Sequence, residues 1–262
     1  MRKIFGGIRI GLAVFVIALA ALSVAVTSLV PVKIRGIPLT SWSVFAVIHF
    51  LCFIFRIRVH CTDMARIRSH GGLVFPNHVS ALDIVVLYYC LPMRFLAAHD
   101  VRDRPLIGFT AKHIGSMFVE RESPRSRVAA SKEIARTLKE SDRPPVALFP
   151  EGRLGPGDTL FPFRHGAFRI AVEGGIPYMP CAIRYQPLEL VLWRAAAEGE
   201  GMWSSIWRMV QYTGHVDVDV IPLDVVHPLP DDSAKALSDK ARQDIADALG
   251  LPLDTSEDGV TA

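Results

Sequence analysis

The residues best suited to chemistry occupy seven consecutive positions, Asn77-His78-Val79-Ser80-Ala81-Leu82-Asp83, in which a histidine and a carboxylate stand five apart. Imidazole titrates near neutral pH, and a carboxylate beside it fixes one ring nitrogen as a donor and leaves the other as a proton acceptor. On one continuous α-helix five residues turn through roughly 500°, which leaves the two side chains about 140° apart. The pair therefore meets only if His78 sits in a turn and Asp83 lies one turn inside the helix that follows. The preceding Gly71-Gly72-Leu73-Val74-Phe75-Pro76 reads as a short buried strand ending at a proline, giving a strand, turn, helix order. Asn77 and Ser80 suit the cap of that helix, and a pair that only satisfies hydrogen bonds at a helix start is the alternative to a catalytic base.

A second polar cluster ends the apolar run Val146-Ala147-Leu148-Phe149 with Pro150-Glu151-Gly152-Arg153. A strand of this kind delivers a carboxylate and a guanidinium to its carboxyl edge, where α/β sheets place ligand sites. Arg153 has the fork that grips a phosphate, and the alternative is an ion pair in a glycine-rich turn. Gly115-Ser116-Met117-Phe118-Val119-Glu120-Arg121 is another strand ending in charge. Arg121, Arg125 and Arg127 read either as a basic rim for an anionic head group or as solvated helix-end charges. Ser80 is a rival nucleophile, although capping is its simpler role.

Strand patterns also cover Ile57 to Cys61, Arg94 to Ala98, Met179 to Arg184 and Val216 to Ile221. Helical patterns cover Ala81 to Tyr89, Pro105 to Ile114, Arg125 to Glu140, Ala167 to Glu173 and Ser233 to Leu249. Alternating strands and helices predict an α/β domain over residues 57–250, a single sheet flanked by helices. The polar, small-residue end, 251–262, reads as a disordered tail.

The chain has 262 residues, a formal charge of +3 and 50% hydrophobic residues, with a mean hydropathy of +0.30. The charge is too small to argue for nucleic acid, and the hydropathy points to lipid. From Ile10 to Val32 run 23 residues without a charge. As a helix they extend about 34 Å, enough to cross a hydrocarbon core of about 30 Å. A cleaved secretory signal is the alternative, because Arg2, Lys3 and a small-residue stretch fit that pattern too. Trp42 to Phe55 is shorter and suits a re-entrant or interfacial helix, so residues 1–56 read as a membrane hairpin. Its ends carry more positive charge than its tip, which places them, and the domain, on the cytoplasmic side of the inner membrane. Cys52, Cys61, Cys90 and Cys181 lack a paired spacing and read as reduced, buried residues, with no metal site.

Taken in order, these motifs resemble those of the glycerolipid acyltransferase family, typified by 1-acyl-glycerol-3-phosphate acyltransferases. Asn77 to Asp83 matches its Asn-His-x4-Asp in full, and Gly115, Phe118 and Arg121 match its Gly-x-x-Phe-x-x-Arg. Phe149-Pro150-Glu151-Gly152 matches the start of its third signature, Phe-Pro-Glu-Gly-Thr-Arg-Ser. The sequence then departs, since Arg153-Leu154 stands where Thr-Arg-Ser is expected. Pro162-Phe163-Arg164-His165-Gly166-Ala167 resembles the Pro-Phe-Lys-x-Gly-Ala that follows, and Ile176-Pro177 the fourth signature. The resemblance covers residues 70 to 190 and implies transfer of a fatty acyl group from acyl-CoA or acyl carrier protein to a lysophospholipid. It implies His78 and Asp83 as catalytic, with Asn77, Arg121, Glu151, Gly152 and Arg153 binding substrate, and amides near Val79 and Ser80 as oxyanion donors. No cofactor is implied beyond the acyl-CoA or acyl-ACP co-substrate. The altered third signature leaves the acceptor open between 1-acyl-glycerol-3-phosphate and another lysolipid such as lyso-ornithine lipid. A membrane-anchored hydrolase and a non-catalytic lipid-binding protein are the competing classes.

Overall fold

The computed structural model describes residues 2–120, 122–192 and 202–254. In chain order the elements are α1 (Arg2–Thr27), β1 (Lys33–Ile34), β2 (Ile37–Pro38), α2 (Leu39–Phe55), β3 (Ile57–Cys61), α3 (Met64–Ser69), β4 (Leu73–Pro76), α4 (Leu82–Cys90), β5 (Arg94–Ala98), α5 (His99–Arg102), α6 (Ile107–His113), β6 (Met117–Val119), α7 (Pro124–Glu140), β7 (Val146–Ala147), α8 (His165–Gly174), β8 (Tyr178–Gln186), α9 (Leu188–Val191), α10 (Met202–Gln211), β9 (Val216–Pro222) and α11 (Ala234–Leu249). Seven strands form one sheet in the order β3-β9-β8-β4-β7-β5-β6. β3 and β9 pair in parallel with each other and join the other five, which are mutually parallel, through an antiparallel β8–β9 pair. Helices flank this sheet, as the alternation in the sequence predicts.

The order of the strands decides which helix covers which face. The connection through α4 steps from β4 across β7 to β5, whereas those through α7 and α8 step back the other way. With right-handed crossovers these helices must lie on opposite faces. The core divides accordingly. Val74, Val86, Leu87 and Tyr88 share a cluster with Val24, Ile37 and Val44 of the N-terminal hairpin, while Phe75, Ile134, Phe168 and Ile245 form the other.

The hairpin differs in detail from its sequence pattern. α1 begins at Arg2 and ends at Thr27, short of Val32, because the chain turns at Ser28 to Val30. Gly6–Thr27 is long and apolar enough to cross a membrane, and Val14, Phe15, Leu19, Leu22 and Val26 are exposed along it. α2 has 17 residues, about 26 Å, and packs against α1. It is also tied to the α/β domain, since Tyr88 donates to the Ser41 carbonyl at 3.0 Å. Arg9 is buried and donates to the carbonyls of Val210 and Tyr212.

Other departures are local. β7 spans only Val146–Ala147, although the Leu148 amide still donates to the Val74 carbonyl at 2.9 Å before the chain turns at Pro150 and Glu151. The short helices α3, α5 and α9 carry too little periodic signal to predict, whereas α10, ten residues with a clear amphipathic period, is a helix that the sequence reading missed. Residues 251–254, the start of the expected tail, are held by Leu160, whose N–H donates to the Pro252 carbonyl at 3.1 Å. The rest of that tail lies outside the described residues. All four cysteines are free, and Cys61 is half-buried where the sequence pattern predicts burial.

Candidate active site

Three adjacent strands, β7, β4 and β8, bring the polar motifs together. β4 ends at Pro76, and Asn77 and His78 follow in the turn before α4. Leu73 and Val74 pair with Val146 and Ala147 of β7, so Glu151 leaves the sheet at the same edge. The expectation that His78 lies in the turn and Asp83 inside the helix is met. His78 Nδ1 and Asp83 Oδ2 are 2.7 Å apart, with Asp83 fully buried and the His78 side chain 14% exposed. The ring stacks on Phe149 at 3.9 Å between centroids.

Asp83 is the hub of the site. Its Oδ2 also accepts from the amides of Val79 and Ser80 at 2.8 and 3.0 Å, and its Oδ1 accepts from the Tyr185 hydroxyl at 2.7 Å. Four donors thus converge on one buried carboxylate. The Val79 and Ser80 amides are therefore committed to Asp83, which corrects their sequence-based placement as oxyanion donors. Tyr185 is fully buried, and burial, reinforced by the charge of Asp83, holds its hydroxyl well above the ordinary range, so it stays a donor. Sequence reasoning missed Tyr185, which is one more apolar-side position in a buried strand. Ser80 is buried, with Oγ donating to the Val191 carbonyl and accepting from the Leu82 amide. It is a capping residue rather than a nucleophile.

The remaining motif residues are placed as follows. Asn77 is buried and exchanges both hydrogen bonds with the Ile183 backbone, at 2.7 and 3.1 Å, so it stitches β4's exit to β8 and does not face a substrate. Glu151 is buried, and its two oxygens accept from the amides of His78 at 2.7 Å and Phe161 at 3.3 Å. Its carboxylate thus positions the histidine backbone instead of reaching out to an acceptor. Burial pushes its carboxyl up to about 8, the two amide bonds oppose this, and the neighbouring Asp83 adds to the rise. A Cβ on Gly155 would lie 2.8 Å from Glu151 Oε2, and the Gly155 amide donates to the His78 carbonyl, so only glycine admits this close approach.

Arg153 is exposed, and its guanidinium stacks on Phe161 at 4.1 Å. It does not line the cavity that His78 opens into, whereas Gly152 and Arg164 do. Gly152 adopts φ +69, and the Arg164 Nε lies 2.6 Å from where its Cβ would be. The Arg164 amide donates to the Pro150 carbonyl at 2.8 Å, anchoring it to the Glu151 turn. Arg164, and not Arg153, therefore lines this cavity. Arg121 lies outside the described residues.

The cavity measures about 860 Å³, a size typical of sites for small molecules. It runs from His78 and Phe149 between α7 and α8. Its floor is apolar, with Leu148, Ile134 and Ile170 buried beneath it.

This arrangement of an oriented histidine at the carboxyl edge of an α/β sheet is that of an acyltransferase: residues 56–184 match the Acyltransferase family model, and the domain they form belongs to that family. Among similar proteins is the 1-acyl-sn-glycerol-3-phosphate acyltransferase of Neisseria gonorrhoeae, 30% identical over 142 residues, which make up 54% of this chain and 55% of that protein. The lyso-ornithine lipid O-acyltransferase of Rhizobium meliloti is 34% identical over 51% of this chain and 48% of its own length. The chain thus aligns with about half the length of these relatives. The crystal structure of the 1-acyl-sn-glycerophosphate acyltransferase PlsC from Thermotoga maritima shares the fold, with a TM-score of 0.72 over 95% of this chain and 97% of that one, at 19% identity.

Proposed function

We propose that the protein transfers a fatty acyl group from an acyl-CoA or acyl-ACP thioester to the free hydroxyl of a lysophospholipid, with 1-acyl-glycerol-3-phosphate as acceptor and phosphatidic acid as product. The observation that carries this reading is the 2.7 Å bond from His78 Nδ1 to Asp83, which leaves Nε2 as the acceptor nitrogen at the cavity. Nε2 takes the hydroxyl proton as the oxygen attacks the thioester carbonyl. The tetrahedral oxyanion then collapses, the C–S bond breaks, and the imidazolium returns the proton to the leaving thiolate. Asp83 holds the tautomer and stabilises the imidazolium, as an acid does in a hydrolase triad. Such a base contributes about 10² to 10⁴ in rate. No serine or cysteine nucleophile is needed, because transfer is direct.

Arg164, on the cavity wall beside Gly152, is the cation for the acceptor's anionic head. The displacement of Arg153 onto Phe161 favours a second reading, in which the acceptor is another lysolipid such as lyso-ornithine lipid. The hairpin of α1 and α2 anchors the protein in the cytoplasmic membrane with the catalytic domain in the cytoplasm. A lysolipid then need not leave the bilayer, which would cost about 0.8 kcal/mol for each CH₂ exposed to water.

The test is thiol release from acyl-CoA by the purified protein with and without lysophosphatidate, and with other lysolipids in parallel. Release that needs no acceptor would favour a hydrolase, and activity that survives His78→Ala would refute the mechanism.

A further inference from the structure

The groove between α7 and α8 has a property that an alkyl pocket lacks. Its floor is apolar, but its rim carries Arg127, Lys132 and Lys139 from α7, Arg164 at the cap of α8 and Arg169 within α8, against a single acid, Glu173. Lys132, Lys139, Arg164 and Arg169 form no ion pair with a described residue. Arg136 with Glu140, Lys235 with Asp239 and Lys240 with Asp244 are, by contrast, matched four residues on. Unmatched cations above apolar floor atoms suit an elongated ligand with a moderately apolar body and phosphate charge, and they disfavour a bare hydrocarbon chain.

The groove also lies on the sheet face opposite the one that carries α1, α2 and α4. Both α7 and α8 start at the carboxyl edge, near His78, and run back along the sheet, so the groove extends from His78 over the face that the hairpin does not cover. His78 stands where the two faces meet. An acceptor held by the membrane and a donor carried in water can approach it from different sides.

Resting on the acyl-transfer reading, we infer that the α7–α8 groove binds the phosphopantetheine arm of the acyl donor, with the thioester at His78 and the phosphate end at Lys132, Lys139 and Arg169. That arm is common to coenzyme A and to acyl carrier protein. Its amide and methyl groups match the apolar floor, and its phosphate matches the rim.

The test compares Lys132→Glu/Lys139→Glu with wild type in the full chain, titrating acyl-CoA and acyl carrier protein thioester separately at fixed lysolipid. Ala135→Trp, which fills the groove without altering charge, is the second variant, and Arg136→Gln on the outer face of α7 is the control. The expected result is a rise of about tenfold in KM for both donors, with KM for the lysolipid within about twofold of wild type. A rise with acyl-CoA alone would overturn the inference, because it would assign the rim to the nucleotide phosphates of that donor and not to the shared arm. A rise in lysolipid KM alone, a rise confined to the carrier protein, or no change in folded variants would overturn the inference. Binding of free coenzyme A by equilibrium dialysis, with His78→Ala included, reads the groove without turnover. If no acyl transfer occurs, the functional reading fails, and coenzyme A binding weakened by both groove variants still upholds the groove. Binding that neither variant weakens refutes it.

Discussion

Tyr185 donates its hydroxyl to Asp83 Oδ1 at 2.7 Å while His78 Nδ1 contacts Oδ2 at the same distance, so β8 and the turn after β4 meet on one carboxylate. The carboxylate is fully buried, and these donors together with the two backbone amides satisfy its oxygens. Removing the Tyr185 hydroxyl leaves one oxygen without its donor in a site that water does not reach. Tyr185→Phe is therefore expected to destabilise the fold by about 1–3 kcal/mol, read from the denaturant midpoint at constant m-value. Its kcat should fall only about fivefold, because the amides of Val79 and Ser80 still orient Asp83. A loss as large as that of Asp83→Asn would mean that Tyr185 does more than hold the acid.

His78→Ala removes the base and should lower kcat by about 10² to 10⁴. Asp83→Asn should fall in the same range for another reason. An amide can present its N–H to Nδ1, which selects the wrong tautomer and occupies the proton-accepting role. Steady-state rates with one lysolipid and one donor check both. The double variant should be no worse than the worse single one, since the two residues act as a unit.

The His78–Asp83 contact was legible in the sequence because five-residue spacing allows it only across a strand, turn, helix junction, and the glycine-proline boundaries of residues 71–76 mark such a junction. The sheet was legible because its strands are apolar runs between helical patterns. What stayed hidden depends on contacts between distant segments. Nothing near Tyr185 signals that its hydroxyl meets Asp83, 102 positions earlier. Similarly, Asn77 looks like a polar ligand beside a histidine, and only the approach of Ile183 shows that its amide is used as backbone pairing. The Val79 and Ser80 amides looked free because the wrap of Asp83 onto the turn is a tertiary feature.

The arginines separate by the same logic. Arg153 follows Glu151-Gly152 in sequence, but its guanidinium rests on Phe161, and Arg164 faces the cavity instead. Arg164→Ala should raise KM for an anionic lysolipid by about tenfold, since it removes a charge-assisted contact at the cavity wall. Arg153→Ala should leave KM within about twofold and cost about 0.5–1 kcal/mol of stability, the value of an exposed cation–π contact. The reverse pattern would restore Arg153 as the acceptor's partner.

Glu151 gives the site a pH dependence of stability whose sign can be worked out. Burial raises its carboxyl from the ordinary 4.5 to about 8 in the folded protein. Between those values the folded state holds a proton that the unfolded chain releases, so the stabilisation is complete below about pH 4.5 and is lost as pH rises through about 8. Glu151→Gln is neutral throughout and lacks this term. It also turns an amide N–H₂ towards either His78 or Phe161, where the wild type has an acceptor, which costs about 1 kcal/mol. The wild type loses about 1.4 kcal/mol per pH unit across that window, so the variant is expected to be the less stable protein near pH 4, to match wild type near pH 5 and to be the more stable of the two at pH 8.5 in parallel urea titrations. A gap that stays constant across that range would mean that Glu151 is ionised throughout, and that the clamp on the His78 amide is a charged one sustained by the Phe161 amide.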